Sequence, residues 1–144
     1  MRYLLDANVL IYAANEDSAF HQVSREWILD AMKQGTELLL TELTEVALLR
    51  LCTHPKLFNM PLEETLGYWL DDLWNYPRTV RVSALSPHNQ TFRELVSKLS
   101  IVGNDINDAW LAALAIEHKA TLVSFDQGFA RFPGLPWLDP SPKE

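Results

Sequence analysis

Several features that mark common enzyme classes are missing from this sequence. There is one cysteine, Cys52, so an intrachain disulfide is excluded and a buried thiol is expected. No Walker loop, dinucleotide-binding glycine pattern or nucleophile elbow is present. The histidines are scattered, and no two have the spacing of metal ligands: they are His21, His54, His88 and His118. These absences argue against zinc, nucleotide-loop and serine-hydrolase chemistry.

Long apolar runs and a surplus of basic residues are also missing. No stretch holds the roughly 18 uninterrupted apolar residues of a membrane span, and the first residues reach a charge too early for a signal peptide. We therefore expect a cytoplasmic protein with no membrane partner. The net charge of -7 argues against binding nucleic acid mainly through a basic surface. It does not exclude a nuclease, because a bound divalent cation neutralises the carboxylates around it.

The length and composition of the chain are typical of one globular domain. The 144 residues are 48% hydrophobic and 22% charged, which predicts a single domain over residues 1–144 with a real core. Apolar runs typical of strands alternate with segments of helical spacing, which predicts an α/β fold: a three-layer α/β/α arrangement around a mainly parallel sheet of four to five strands. The predicted strands are residues 2–5, 38–40, 80–82 and 120–124, with a short edge segment at 132–137.

Proline, glycine and capping residues predict where the later helices begin and end. Pro61 opens a helix that we expect to continue to just before Pro77. Residues 86–87 open the next helix, and Asn104 is expected to cap the N-terminus of a helix over 105–118. At the end of the chain, residues 139–144 are expected to be disordered.

Acidic residues follow the predicted strands closely. Asp6 and Asp126 come after the first and last clear strands, and the carboxyl ends of parallel strands lie at the same edge of a sheet. Each could simply cap the helix that follows, but their joint position favours a shared site. Asp105 and Asp108 share a face in the first turn of a helix, and Asp108 lies nearer the buried side.

A second pair of acids follows the second strand. Glu42 and Glu45 are three residues apart and point the same way, so spacing alone does not separate them. Carboxylates without cysteine favour Mg²⁺ or Mn²⁺ over zinc, and hydrolysis of a phosphodiester is the natural chemistry of such a site. Asn8, Asn104 and Ser124 are suitable hydrogen-bond partners for the metal-binding carboxylates.

Several stretches resemble a known family. Residues 4–10, 103–115 and 121–129 resemble the PIN domain in sequence and order. Residues 49–55 and 129–135 are similar to the VapC toxins of bacterial toxin–antitoxin pairs. The resemblance covers nearly the whole chain. It implies a PIN-like fold and a magnesium-dependent endoribonuclease that cleaves RNA, is usually a homodimer, and is held inactive by a VapB-type antitoxin that inserts a basic segment into the acidic cleft.

The resemblance also implies roles for individual residues. Asp6, Asp108 and Asp126 match the metal-binding aspartates of the family, and Asp105 would be an accessory acid. In many relatives a glutamate stands two residues before an arginine on the helix after the second strand, and here that position is Leu48. Glu42 resembles the acid used instead, so the predicted catalytic set is Asp6, Glu42, Asp108 and Asp126, with Glu45 a weaker candidate than Glu42.

Other functions compete with the nuclease interpretation. A PIN-like module could bind a partner through its acidic groove with little or no turnover, and Leu48 favours that alternative. A phosphatase using Asp6 as nucleophile is a further alternative, although Asn8 stands where such enzymes place a second acid.

Overall fold

A parallel sheet in the order β3-β2-β1-β4-β5 organises the structure, a computed structural model that describes residues 1–85 and 88–142. All four neighbouring pairs are parallel. The carboxyl end of the central strand, β1, therefore lies between the carboxyl ends of β2 and β4. The strands are β1 Arg2–Leu5, β2 Glu37–Leu40, β3 Thr79–Arg81, β4 Thr121–Val123 and β5 Trp137–Leu138.

Helices connect the strands, as the crossover rule requires of a parallel sheet. Within the described ranges, every helix is too short or too polar to cross a bilayer. The α-helices are α1 Ala7–Ala14, α2 His21–Lys33, α3 Glu42–Thr53, α4 Leu62–Gly67, α5 His88–Leu99 and α6 Asp105–Glu117. A π-helix, Tyr68–Leu73, follows α4, and a 3₁₀ helix, Gln127–Arg131, follows β4.

Side chains of the strands alternate between two cores. Leu4 and Leu39 face a core formed with α5 and α6, whereas Leu5 and Leu38 face a core formed with α1, α2 and α3. All four side chains are buried, since successive side chains of a strand point to opposite faces. Helices thus cover both faces of the sheet. The predicted α/β fold with a mainly parallel sheet is confirmed. The edge strand β5 lies at Trp137–Leu138, so it overlaps the predicted segment 132–137 only at its last residue.

Three details differ from the sequence prediction or fall outside the described residues. Asn104 makes no capping hydrogen bond and has helical backbone angles, φ −63° and ψ −24°. The turn before it passes through Gly103 at φ 61°, a conformation that glycine adopts without strain, and Gly103 O accepts from Ile106 N. The predicted start of α5 at residues 86–87, and residues 143–144 of the tail expected to be disordered, lie outside the described residues.

The helix that opens at Pro61 is not a single α-helix. It turns into the π-helix at Tyr68, where Trp74 N donates to Trp69 O. Residues five apart point in different directions on an α-helix but share a side on the wider π-helix, whose hydrogen bonds run between residues five apart. Both indoles consequently reach one carboxylate, Glu45: Trp69 Nε1 lies 2.9 Å and Trp74 Nε1 2.7 Å from its Oε1.

Glu45 ties three elements together. Arg81, at the end of β3, donates from Nε to Oε2 at 2.7 Å and from Nη2 to Oε1 at 2.9 Å, and its guanidinium lies 4.9 Å from the Trp74 ring centroid. The Glu45 side chain is only 5% exposed. Burial raises its pKa, but the hydrogen bonds from Arg81, Trp69 and Trp74 outweigh burial, so the pKa lies below its usual 4.5.

We expect Glu45→Gln to lower the unfolding free energy by about 1.5 kcal/mol at neutral pH, since it removes a charged acceptor from the Arg81 and indole donors. A lowered folded-state pKa means that this stabilisation is present above about pH 4.5 and is lost as the pH falls through the folded-state value. Urea denaturation of the wild type and of Glu45→Gln at a series of pH values measures the difference in their unfolding free energies. Glu42→Gln, the same change at an exposed site on α3, should alter stability by less than about 0.5 kcal/mol. A deficit in Glu45→Gln that persisted undiminished in acid would contradict the assignment.

Candidate active site

Strand register sets which residues meet at the carboxyl edge of the sheet. Leu5 pairs with Val123 on one side of β1, and Leu4 pairs with Leu39 on the other. The next residue of β1, Asp6, donates its N–H to Val123 O at 3.0 Å, so its backbone stays attached to β4 where the chain leaves the sheet. Asp6 therefore emerges at the middle of the edge, between the ends of β2 and β4.

Ser124 holds the side chain of Asp6. The Ser124 hydroxyl donates to Asp6 Oδ2 at 2.7 Å and accepts from Asn8 Nδ2 at 3.1 Å and from Asp126 N at 3.0 Å. The other oxygen, Oδ1, accepts from Ala7 N at 2.7 Å and so caps α1. Asp6 thus caps a helix and takes part in the shared cluster; Ser124 donates directly to its carboxylate, whereas Asn8 donates to Ser124.

Asp126 is positioned by the turn into the 3₁₀ helix. Its Oδ1 accepts from Gly128 N at 2.8 Å, which again combines capping with a place beside Asp6. A Cβ atom at Gly128 would lie 3.0 Å from this oxygen, so a side chain here would require the carboxylate to shift by a few tenths of an ångström. Phe129, which is 1% exposed, anchors the short helix in the core.

Asp105 and Asp108 reach the same edge from the first turn of α6. Burial, and after it the charges of Asp126 and Asp6, raise the pKa of Asp108 to about 6. Arg131, at the end of the 3₁₀ helix, opposes that shift. Its Nη1 and Nη2 lie 3.4 Å from Asp105 Oδ2 and Asp108 Oδ2, respectively.

The pKa of Asp6 is also raised, chiefly by burial and further by the charge of Asp126, against the hydrogen bonds from Ser124 and Ala7. Aspartates from three different elements therefore repel one another at one edge, and a cation bound there would relieve that repulsion. Carboxylate oxygens are the donors preferred by Mg²⁺ and Mn²⁺, so the donor set fits such an ion. Within residues 1–85 and 88–142, however, no three Asp, Glu, His or Cys side chains are arranged closely enough to hold a metal ion.

The glutamates after β2 have separate environments. Glu45 is occupied by Arg81 and the indoles, as described above. Glu42 is exposed at the start of α3, beside a pocket of about 290 Å³, and its charge acts on Arg81. Leu48 is fully buried in the core formed with α1, α2 and α3. Asn104 is exposed at the head of α6.

Sequence reasoning missed Arg131 as a member of the cluster. The available signal was a basic residue one short helix after Asp126, but spacing does not reveal that its guanidinium folds back towards α6.

A groove whose lining includes none of the clustered aspartates lies elsewhere on the chain. This groove of about 880 Å³ runs between α1 and α2 on one side and α4 and the π-helix on the other. Its acidic lining residues are Glu16, Asp17, Glu64, Asp71 and Asp72, and its apolar lining residues include Ile28, Leu29, Met32, Phe58 and Met60.

Known proteins are similar to this chain in sequence. The PIN domain family matches residues 3–135. Ribonuclease VapC37 of Mycobacterium tuberculosis is 35% identical over 138 residues, covering 95% of this chain and 96% of that protein. Ribonuclease VapC43 of the same organism is 34% identical over 137 residues, covering 94% and 93%.

Solved structures support the fold. VapBC2 from Rickettsia felis, bound to a DNA fragment from its promoter, gives a TM-score of 0.74 at 22% identity over 96% of this chain and 98% of that chain. VapBC-1 from nontypeable Haemophilus influenzae gives 0.69 at 20% identity over 97% and 98%. With a family match across most of its length and relatives above 30% identity over nearly all of it, the chain belongs to the PIN domain family, among the VapC ribonucleases.

Proposed function

We propose that the chain is the toxin of a VapBC-type pair: a magnesium-dependent endoribonuclease that hydrolyses RNA phosphodiester bonds in the cytoplasm. The observation that carries this proposal is the meeting of Asp6, Asp108 and Asp126 at one sheet edge, where their charges act on one another. The similarity to ribonuclease VapC37 supports it.

Asp6, Asp108 and Asp126 would hold Mg²⁺, or Mn²⁺ in its place. The ion, when bound, supplies a Lewis acid and lowers the pKa of water. The chain itself orients the carboxylates. Ser124 and Ala7 N fix the two oxygens of Asp6, and Gly128 N fixes one oxygen of Asp126. This leaves little rotamer freedom to lose when the site is used.

Glu42 is the proposed acceptor for the proton that the attacking water loses. It begins α3 directly after β2, the strand beside β1, and its carboxylate is exposed, so substrate can reach it. Both oxygens of Glu45 already accept hydrogen bonds from Trp69, Trp74 and Arg81, so its role is to stabilise the fold. Asp105 would be an accessory acid that positions Arg131 through their ion pair.

A binding module with little turnover is the alternative function. The observation in its favour is that no three potential ligands among the described residues stand close enough to hold an ion. Purified protein incubated with total RNA and Mn²⁺, with and without a chelator, separates the two functions. A nuclease gives chelator-sensitive fragments, whereas a pure binder leaves the RNA intact.

Asp6→Asn should reduce the cleavage of total RNA by more than about 100-fold. That is the upper end of the loss caused by mutating a residue that hydrogen-bonds to a metal ligand, and Asp6 is a proposed ligand itself. Thermal unfolding should show that the fold survives. Asp30→Asn, the same change at an exposed site on α2, is the matched control and should cleave like the wild type. Undiminished cleavage by Asp6→Asn in excess Mg²⁺ would show that the acidic cluster is misassigned.

Glu42→Gln should lower the cleavage rate about 100-fold, the lower end of what a positioned general base contributes, with thermal stability unchanged. Glu45→Gln, its partner on the same helix, should show the opposite pattern of lower stability with less effect on rate. Single-turnover cleavage assays and thermal melts of both variants test this. Equal rates for Glu42→Gln and wild type would remove Glu42 from the mechanism.

The proposed protein partner is a VapB-type antitoxin. Solved relatives are described as VapBC pairs, and the 880 Å³ groove offers a complementary surface on this chain. Its apolar lining residues, among them Ile28 and Met32, suit the apolar face of an amphipathic segment, and its acidic residues suit basic side chains. A basic continuation of that segment would be attracted to the aspartate cluster.

We further propose a homodimer that forms through the outer face of α3. Leu43 and Val46 are 56% and 59% exposed, and both border the pocket lined by Val82 and Trp110. Neighbouring exposed apolar residues of this kind mark interaction surfaces.

Val46→Glu should convert a dimer of the wild type into a monomer, because it places a charge in an apolar interface. Light scattering coupled to gel filtration measures the mass. Leu57→Glu alters a side chain that is 55% exposed and lies outside this surface, and it should leave the mass unchanged. A monomeric wild type, or a Val46→Glu protein that stays dimeric, would contradict the proposed interface.

A further inference from the structure

Arg131 is a cation placed inside an acidic cluster. The preceding chain fixes its backbone firmly: Asp126 caps the 3₁₀ helix, and Phe129 is buried. Its guanidinium carbon lies 4.9 Å from the centroid of the Phe132 ring, a buried residue, so the side chain has a defined apolar support. Beyond that support, the guanidinium reaches across to Asp105 and Asp108 on α6.

The contacts of Arg131 are open, unlike those of Arg81. Arg81 grips both oxygens of the almost fully buried Glu45, at 2.7 and 2.9 Å. Arg131 instead lies 3.4 Å from one oxygen on each of two separate carboxylates, and the side chains of Asp105 and Asp108 are 56% and 25% exposed, against 5% for Glu45. Contacts at this distance are weak and partly screened by water. Arg81 is thus committed to the scaffold, whereas Arg131 can exchange partners at small cost.

An RNA strand approaching this edge meets the negative charges of Asp6, Asp105, Asp108 and Asp126, and it needs a cation to offset the repulsion. A guanidinium presents parallel donors that match two phosphate oxygens. Through Asp105 and Asp108, Arg131 also competes with a metal for the carboxylates it contacts. Arg131 can therefore pair with the carboxylates first and with an RNA phosphate afterwards.

We propose that Arg131 is a substrate-binding residue: its guanidinium pairs with Asp105 and Asp108 in the free protein and transfers to a backbone phosphate when RNA is bound. The inference rests on the proposed function, since it takes RNA as the substrate and the aspartates as the metal site. It adds the residue of this chain that contacts the strand and a defined exchange of partners.

The first test is metal binding without RNA. Because Arg131→Ala removes a competing cation, it should bind Mn²⁺ about threefold more tightly than the wild type in isothermal titration calorimetry. Arg93→Ala, which removes the same charge from an exposed site on α5, should bind Mn²⁺ like the wild type. Wild-type Mn²⁺ affinity in Arg131→Ala would overturn the pairing with the aspartates.

The second test is RNA binding without turnover. In an Asp6→Asn background, retention of end-labelled total RNA on filters should weaken about tenfold on adding Arg131→Ala, as expected for a charged hydrogen-bonded contact. The slope of log affinity against log salt should fall by about 0.7, the value for one phosphate on a single strand. Arg131→Lys should keep the slope and recover part of the affinity, and Arg93→Ala should change neither.

The outcomes separate this inference from the proposed function. Unchanged RNA affinity and salt slope in Arg131→Ala, with wild-type protein still cutting RNA, would overturn the role of Arg131 and leave the nuclease standing. Weakened binding with no metal-dependent cleavage by wild type would keep Arg131 as a phosphate contact and remove the nuclease. A loss of melting temperature with an unchanged salt slope would show a structural role and overturn the inference.

Discussion

The hydrogen bond from the Ser124 hydroxyl to Asp6 Oδ2, 2.7 Å long, determines the geometry of the whole edge. It joins the end of β1 to the end of β4, two neighbouring strands of the sheet. Through the same oxygen atom, Ser124 accepts from Asn8 on α1 and from the N–H of Asp126. Because that side chain is fully buried, these bonds lack competition from water, and the ends of both strands are held in one arrangement.

Holding carboxylates this close has an electrostatic cost. The protein meets this cost partly with hydrogen-bond donors to Asp6 and Asp126 and partly with Arg131 beside Asp108. Burial, and after it the charges of Asp126 and Asp6, keep the pKa of Asp108 raised despite Arg131, so the compensation is incomplete. Incomplete compensation is typical of functional sites, where a ligand supplies the missing charge.

The sequence predicted the scaffold and the central acids because both depend on local rules. Alternating apolar runs place Leu4 and Leu5 in opposite cores, and a parallel sheet brings Asp6 and Asp126 to one edge. The resemblance ranked Glu42 above Glu45, but the different environments of the two side chains could not be predicted from their spacing. These environments depend on a π-helix that brings Trp69 and Trp74 to one side, and on Arg81 arriving from β3, both far away in sequence. The position of Arg131 likewise depends on tertiary contacts with α6.

Arg81 and Arg131 show how one chain uses the same side chain in two ways. Arg81 meets a carboxylate that is almost fully buried and has further donors, so removing Arg81 would leave a buried charge with only the two indole donors. The Arg81–Glu45 pair helps to hold the fold together, and its hydrogen-bonding groups are already engaged. Arg131 meets carboxylates that remain partly exposed, at longer distances, so its ion pairs add little stability. A weak internal pair is what a binding residue requires, because the free energy of breaking it is subtracted from the affinity for substrate.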